Sequence, residues 1–489
     1  MKAVPGDPSS VEPRTDTTAE GRGWRSWHTL WVLLLLGWTV SAADRAVTGP
    51  VVTWMIDNKV GFLAEAPHPH ALGGLVGGLF FAGYMLTQFP GGYLGDRYGH
   101  RTLIVVSLLW AGVATILTGF IGGLVAFIVV RVVTGLGEGA FYSNDRSLIS
   151  ATTPERNRSL GMGVVITGLS LGITIAIVFT PELIEFGKLF LDHVEAWRMV
   201  FWVLGLGTVI VAVVVALWFR AHLTISGLSR ATLHLSAYSA VSLALIMGVY
   251  WLGTSAGLNE LWVALLEVGL ALGLVLFVLV RKGTEIGPVV KNRDLMLIYI
   301  VYIAILWNLW FFSFWSVSIV AGAAKSSFMA AALTAGFNAG AGILGFPAGG
   351  WLSDYGLRRG WGRKSMMLTF TGIQAVLTLA FAWYLSAAAK PSLWVMGILL
   401  FTASLFFNAL QPVGQALTAD LAPESLRGSA FGMQNLIGEI GAVLSPAISG
   451  VLRDSTGGWE AAVWLDAIIV VAGFFVLSQV RSRKQPAAA

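Results

Sequence analysis

Long apolar segments recur fourteen times along this 489-residue chain, separated by short polar links. A helix of about 20 apolar residues crosses the hydrocarbon core of a bilayer, which is roughly 30 Å thick. Only 12% of the residues are charged, well below the roughly 25% that is typical of a soluble domain. The pattern predicts an all-α polytopic membrane protein with about 14 transmembrane helices. The segments are 29–56, 71–94, 102–120, 124–150, 159–184, 197–219, 236–255, 260–281, 295–321, 328–353, 366–386, 393–418, 428–452 and 460–480.

Lysine and arginine residues concentrate in alternate links. With the N-terminus placed inside, the predicted inner segments hold 22 of the 31 such residues, and the outer segments hold six. Positive charge accumulates on the cytoplasmic side of membrane proteins. We therefore expect a multi-pass protein of the inner (plasma) membrane with both termini in the cytoplasm. This topology accounts for the net charge of +5 without any binding of nucleic acid.

The two ends of the chain are polar. Residues 1–27 contain little that could pack, so they are predicted to form a disordered cytoplasmic tail. The stretch is too long and too acidic to begin a signal peptide, so we expect the first span to be retained. Residues 483–489 form a second cytoplasmic tail in this interpretation.

The chain repeats itself at an interval of about 260 residues, as secondary transporters built from two halves do. "GGYLGDRYGHRT" (91–102) matches "GGWLSDYGLRRGWGRKS" (349–365), and "TPERNRSLGMG" (153–163) matches "APESLRGSAFGM" (422–433). We predict an N-terminal six-helix half (28–220), a linker with two extra helices (221–294) and a C-terminal six-helix half (295–482). Substrate sites of such proteins lie near the midplane, between the halves.

The first of these motifs resembles the loop 2–3 signature of the major facilitator superfamily, G-x-L-[GA]-D-[RK]-x-G-[RK]-[RK], with His100 as a departure. The resemblance implies the major facilitator fold and alternating access. It also implies that the loop and its degenerate copy latch the inner face, although the loop could instead serve only to hold positive charge inside. The implied gating residues are Gly92, Gly95, Asp96, Arg97, Gly99, Arg101, Asp354 and Arg363.

Ionisable residues fall inside the first and fourth predicted spans, where each is a functional candidate because a charge in the bilayer is costly. Asp44 and Arg45 are adjacent in the first span, whereas Arg131 and Glu138 are seven residues apart in the fourth. Seven residues make nearly two helical turns, so Arg131 and Glu138 share one face, together with Asp145. We predict that the arginines bind an anion and the two acids carry protons. The alternative is two static ion pairs that only position the helices.

This constellation resembles the anion:cation symporter family, whose members take up sugar acids and other carboxylates with protons. Carried over by position, Arg45 and Arg131 would bind the anion, and Asp44 and Glu138 would carry protons. Spinster-like lipid transporters have a similar pattern. The fourteen-helix count instead resembles drug:proton antiporters, but their G-x-x-x-G-P-x-x-G-G motif is incomplete here, since only Gly168 and Gly172 are present in "TGLSLGITIAIVFTPEL".

The C-terminal half has one central acid, Glu439, which we predict to be a further proton or cation site, with a packing role as the alternative. Buried amides can bind a substrate or join helices. The amides that we assign to the substrate are Asn338, Asn408 and Gln411; Asn308, Gln415, Gln434 and Asn435 are further candidates.

The features together predict a proton-coupled symporter of a small organic carboxylate. The alternatives are a proton-driven exporter of drugs, lipids or other amphiphiles, and a sensor that kept the fold but lost transport. The chain has no cysteine, and we find no P-loop, zinc-ligand spacing or catalytic triad, so we expect neither an enzyme, nor a catalytic residue, nor a metal site. We expect no cofactor, a proton gradient as the energy source, and a monomer as the functional unit. The expected partners are a small anionic substrate, protons and the lipid bilayer.

Overall fold

Fourteen long α-helices account for most of the described residues in the computed structural model of the chain. It describes residues 24–63, 66–153, 158–423 and 426–481, except for the side chains at positions 89, 96, 150, 158–160, 271–272, 274–286, 354, 358 and 427–429. No β-strand occurs in these residues. The predicted tails 1–27 and 483–489 lie outside the described residues, apart from residues 24–27.

The helices are α1 (Ser26–Asp57), α2 (Pro69–Tyr98), α3 (His100–Thr118), α4 (Leu124–Thr152), α5 (Arg158–Gly187), α6 (Arg198–Phe219), α7 (Ile225–Ser255), α8 (Glu260–Val290), α9 (Arg293–Ala324), α10 (Phe328–Arg358), α11 (Arg363–Ala387), α12 (Leu393–Leu421), α13 (Arg427–Thr456) and α14 (Glu460–Ser478).

These helices match the predicted spans, and 13 of them are long and apolar enough to cross a membrane when only described residues are considered. The largest differences concern α7 and α8. Helix α7 begins at Ile225, where Thr224 caps it by accepting a hydrogen bond from the Gly227 amide. Helix α8 continues to Val290. A hydropathy pattern ends where polar residues begin, whereas a helix can continue into the aqueous phase.

The two halves pack in the same way, as the internal repeat requires. In the first half α1 packs on α5, α2 on α4, and α3 on α6. In the second half α9 packs on α13, α10 on α12, and α11 on α14. The halves meet where α2 packs on α13, α5 on α10, and α1 on α9. The inserted hairpin lies beside this junction, since α7 contacts α2, α3 and α4, and α8 contacts both α2 and α13.

Candidate functional site

Arg45 and Glu138 form a short buried ion pair between α1 and α4. The Arg45 Nε lies 2.5 Å from Glu138 Oε2, and both side chains are almost fully enclosed. Ser41, one turn before Arg45, donates to the same oxygen at 2.8 Å and accepts from Arg45 Nη2 at 2.9 Å. The other carboxylate oxygen, Oε1, has no hydrogen-bond partner among the described residues. Glu138 also interacts with the neighbouring Asp44 carboxyl group, so two acids share this site.

Asp44 and Arg131 form a second pair on the same two helices. Arg131 Nη1 lies 3.1 Å and 3.3 Å from the two carboxylate oxygens of Asp44, and Nη2 donates to the Asp44 carbonyl at 2.9 Å. Thr115 of α3 also donates to Asp44, at 2.7 Å. The Arg131 guanidinium stacks on the rings of Phe80 and Phe201. This arginine is sealed between α1, α2, α4 and α6.

The pairing crosses between the helices. Successive side chains on a helix point about 100° apart, yet Glu138 interacts with both Asp44 and Arg45, so the two pairs form one connected cluster. Arg131 and Glu138 share a face of α4, as the sequence predicts, about 10 Å apart along its axis. Arg131 reaches Asp44 with its long side chain, and Arg45 in turn reaches Glu138. Both predicted anion-binding arginines thus stand next to predicted proton carriers. Their transport roles remain predictions.

Aromatic rings enclose the free side of Arg45. Its guanidinium carbon lies 4.2 Å from the centre of the Tyr84 ring on α2 and 5.3 Å from that of Trp38. Such cation–π contacts favour the charged arginine where water is excluded. Trp38 also donates to Asp145 at 2.6 Å. Sequence reasoning missed Tyr84 and Ser41, because neither belongs to a motif or carries a charge.

Glu439 joins this group from the opposite half. It lies on α13 and interacts electrostatically with Arg45 across the junction. Its Oε1 accepts a hydrogen bond from Asn435 at 3.2 Å, and the same Asn435 amide donates to Gln88 of α2 at 3.0 Å. The structure therefore places Glu439 on the α13 side of the junction, within electrostatic range of Arg45.

A polar pocket lies on the other side of the junction, between α5, α9, α10 and α12. Its polar lining residues are Ser170, Asn308, Ser313, Asn338, Ser404 and Asn408. Two of the three amides predicted to bind substrate are thus together in one pocket. Gln411, the third, is not among its lining residues, although it is buried and its Nε2 has no partner in the described part of the chain. In this conformation the cavity has room for little more than a water molecule, and amide and hydroxyl groups line it.

The predicted inner gate is held together by an asparagine that the sequence did not single out. Asn144 of α4 donates to the Gly91 carbonyl at 3.0 Å, and its Oδ1 lies 2.8 Å from Nδ1 of His100. A Cβ added at Gly95 would lie 1.7 Å from this oxygen, so only glycine leaves room for the contact. Gly99 has φ +91°, which lets the chain turn between α2 and α3.

The other predicted gating residues contact their own half. Arg101 stacks on Phe219, and Arg97 lies over the neighbouring Tyr98 ring. Arg363 pairs with Asp420 at 2.6 Å, linking α11 to α12. Gly92 lies against Ser143. The side chains of Asp96 and Asp354 lie outside the described residues. Gating by this set remains a prediction.

The opposite ends of α2 and α13, predicted to face outside, are closed against each other. His70 Nδ1 lies 2.7 Å from Asp454 Oδ1, and the Ala71 amide donates to Asp454 Oδ2 at 2.8 Å. A Cβ added at Gly74 would lie 2.1 Å from the Pro446 carbonyl oxygen. The backbones of α2 and α13 are therefore in direct contact at this end.

A family model described as "Major Facilitator Superfamily" matches residues 34–383 and 295–489. The chain belongs to the Major Facilitator Superfamily. It is a multi-pass membrane transporter of a small molecule and not an enzyme, as the sequence predicts.

Two curated relatives align over most of the chain. A D-galactonate transporter of Escherichia coli O6:H1 is 24% identical over 79% of this chain and 82% of its own length. A probable galactarate/D-glucarate transporter, GudP of Bacillus subtilis strain 168, is 23% identical over 92% and 91%. Among solved structures, a bacterial homologue of the human lysosomal transporter Spinster, inward-facing and occupied, superposes with a TM-score of 0.67 at 16% identity, covering 96% of this chain and 100% of that one. The structural similarity supports the fold.

Proposed function

We propose that this transporter carries a small organic carboxylate into the cell together with protons. It would reside in the plasma membrane with both termini in the cytoplasm and work as a monomer. The observation that carries the proposal is the Arg45–Glu138 pair, which joins a fixed cation to a titratable acid at the centre of the junction.

The pair offers a direct means of coupling. A carboxylate that binds the Arg45 guanidinium competes with Glu138 for the same donors. Glu138 then loses its cation, and a buried carboxylate without a cation favours its protonated form. The anion and the proton thus bind together, and Arg45 remains charged throughout. Asp44 would carry a second proton in the same way in a state of the transport cycle that opens the enclosed Arg131 to the anion.

Glu439 extends the coupling to the second half. It interacts with the same arginine from α13, so protonating it would strengthen the hold of Arg45 on a bound anion. Because Glu439 and Glu138 belong to opposite halves, their charge states would also change how strongly the halves attract each other. A transporter that works by alternating access needs such a link between its ligands and the junction.

Two observations favour a hydroxylated carboxylate. The relatives that align over most of the chain are named for galactonate and for galactarate and D-glucarate. The polar pocket also groups three amides and three hydroxyls near the junction. We propose that Arg45 binds the carboxylate and that Asn338 and Asn408 bind hydroxyl groups.

Reconstitution into liposomes that contain a pH-sensitive dye tests the proposal. Sugar acids, short mono- and dicarboxylates, phosphate and neutral sugars are added outside one at a time, with and without sodium. We expect proton influx with one class of organic anion and none with neutral sugars.

Two variants separate coupling from folding. Glu138→Gln keeps the size and polarity of the side chain but cannot release a proton, so anion-driven proton influx should be lost while exchange of internal for external anion persists. Glu267→Gln is the control, since Glu267 is a buried acid on the inserted α8. Proton efflux driven by amphiphiles, with no response to any anion, would instead identify an exporter.

A further inference from the structure

Asp466 is a buried acid that the proposed coupling does not use. It lies on α14 with no exposed surface. Its Oδ2 accepts a hydrogen bond from Asn308 Nδ2 at 2.7 Å, and its Oδ1 has no partner in the described part of the chain. Asn308 is midway along the 32-residue α9, whereas Asp466 is the seventh residue of the 19-residue α14, so the acid lies within the predicted span and towards its outer end.

Among the described residues, no lysine or arginine contacts Asp466. The helices that pack on α14 are α9, α11 and α13. Helices α9 and α11 carry lysine or arginine only in their first two residues, and α14 has neither. The charged residues of α13 with described side chains are Glu439, Arg453 and Asp454. The Arg453 guanidinium lies over the Trp459 ring, and Asp454 is paired with His70. An isolated carboxylate is costly in such a setting, whereas a neutral acid is not.

Asn308 connects this acid to the polar pocket. It is one of the lining residues of that pocket, and its Oδ1 accepts a hydrogen bond from Gln374 Nε2 at 3.2 Å. Gln374 and Asp466 thus fix the orientation of the Asn308 amide from behind. A ligand that turns this amide toward the pocket lengthens or breaks the hydrogen bond that Asp466 receives.

We propose that Asp466 is a proton-binding site of the C-terminal half and that Asn308 couples its protonation to occupation of the polar pocket. The inference rests on the proposed function. When a ligand hydroxyl draws the Asn308 N–H toward the pocket, the carboxylate loses its one described hydrogen-bond donor and takes a proton from water in the cavity. When the ligand leaves, the N–H returns to Asp466 and the acid releases that proton to water. The cycle moves one proton in addition to those on the N-terminal half.

The test measures how steeply accumulation depends on the pH gradient. Wild type, Asp466→Asn and Glu267→Gln are reconstituted, and the membrane potential is held at zero with potassium and valinomycin. The steady-state ratio of labelled anion, inside to outside, is recorded at several pH gradients. Each coupled proton multiplies this ratio by about ten per pH unit. We expect Asp466→Asn to lower the ratio about tenfold per pH unit and Glu267→Gln to leave it unchanged.

The slope is the change in the logarithm of the inside-to-outside anion ratio per unit of pH gradient. It distinguishes coupling from a structural role, because a poorly packed transporter reaches the same steady-state ratio more slowly. A slope in Asp466→Asn equal to that of wild type would overturn this inference alone. A wild-type slope of zero for every anion would overturn the proposed function itself. Should Asp466→Asn fail to fold, Asn308→Leu decides the matter, since it keeps the acid but removes the link. We expect Asn308→Leu to have the reduced slope, and a wild-type slope would contradict the inference.

Discussion

Replacing Gly74 with alanine is expected to destabilise the state in which the predicted outer face is closed. The added Cβ would lie 2.1 Å from the Pro446 carbonyl oxygen. Real Cβ contacts are rarely shorter than about 3.4 Å, so α2 and α13 would have to move apart by roughly 1 Å. Forcing a methyl group into a packed interface costs about 1–3 kcal/mol. The closed state would therefore lose about 5- to 150-fold in population relative to the open state.

The absence of cysteine from the chain makes the measurement direct. Single cysteines at Val47 and Ala447, which are buried near the predicted outer face, can be titrated with a membrane-impermeant thiol reagent without background labelling. We expect Gly74→Ala to raise the labelling rate at both positions. The matched control is Gly248→Ala, because a Cβ there meets nothing within 4 Å. Equal labelling in Gly74→Ala and in the parent would refute the claim that backbone contact closes this face.

Three further variants test individual contacts. Thr115→Val removes the 2.7 Å hydrogen bond to Asp44 and should lower stability by about 1.5–3 kcal/mol; a melting temperature in detergent equal to that of wild type would contradict this. Tyr84→Leu should weaken anion binding by about 0.5–2 kcal/mol through the lost ring contact with Arg45, whereas Tyr84→Phe keeps the ring; equal dissociation constants for the Leu and Phe variants would oppose the assignment. Asp454→Asn loses a charge at the closed outer face and should increase thiol labelling there without changing the number of protons coupled to each anion; a changed proton number would place Asp454 in the coupling machinery instead.

The sequence predicted the architecture because each span is specified locally. A run of apolar residues long enough to cross the bilayer forms a helix wherever it is inserted, and the repeated motifs give the two-half arrangement. Helix ends were less certain, as α7 shows, since it begins at Ile225 and not near residue 236. The described side chains among the predicted gating residues, Arg97, Arg101 and Arg363, contact residues of their own half. Their gating role stays a prediction.

The sequence predicted which charged residues form the site, but it did not predict which of them pair with each other. Spacing alone places Arg131 and Glu138 on one face of α4. Which residue of α1 each one meets depends on the rotation of α1 about its axis, which no local pattern specifies. His70 and Asp454 are 384 positions apart, and neither lies in a repeated motif. Contacts of this kind depend on how the two halves dock and appear only in the folded structure.

Concentrative uptake tests the central claim most directly. Proteoliposomes are given a pH gradient, acidic outside, at zero membrane potential, and labelled galactonate or glucarate is added at equal concentration on both sides. The account predicts that wild type accumulates the anion inside, that a protonophore abolishes the accumulation, and that Glu138→Gln equilibrates the anion without concentrating it. Accumulation that survives the protonophore, or that Glu138→Gln retains in full, would contradict proton-coupled symport through the Arg45–Glu138 pair.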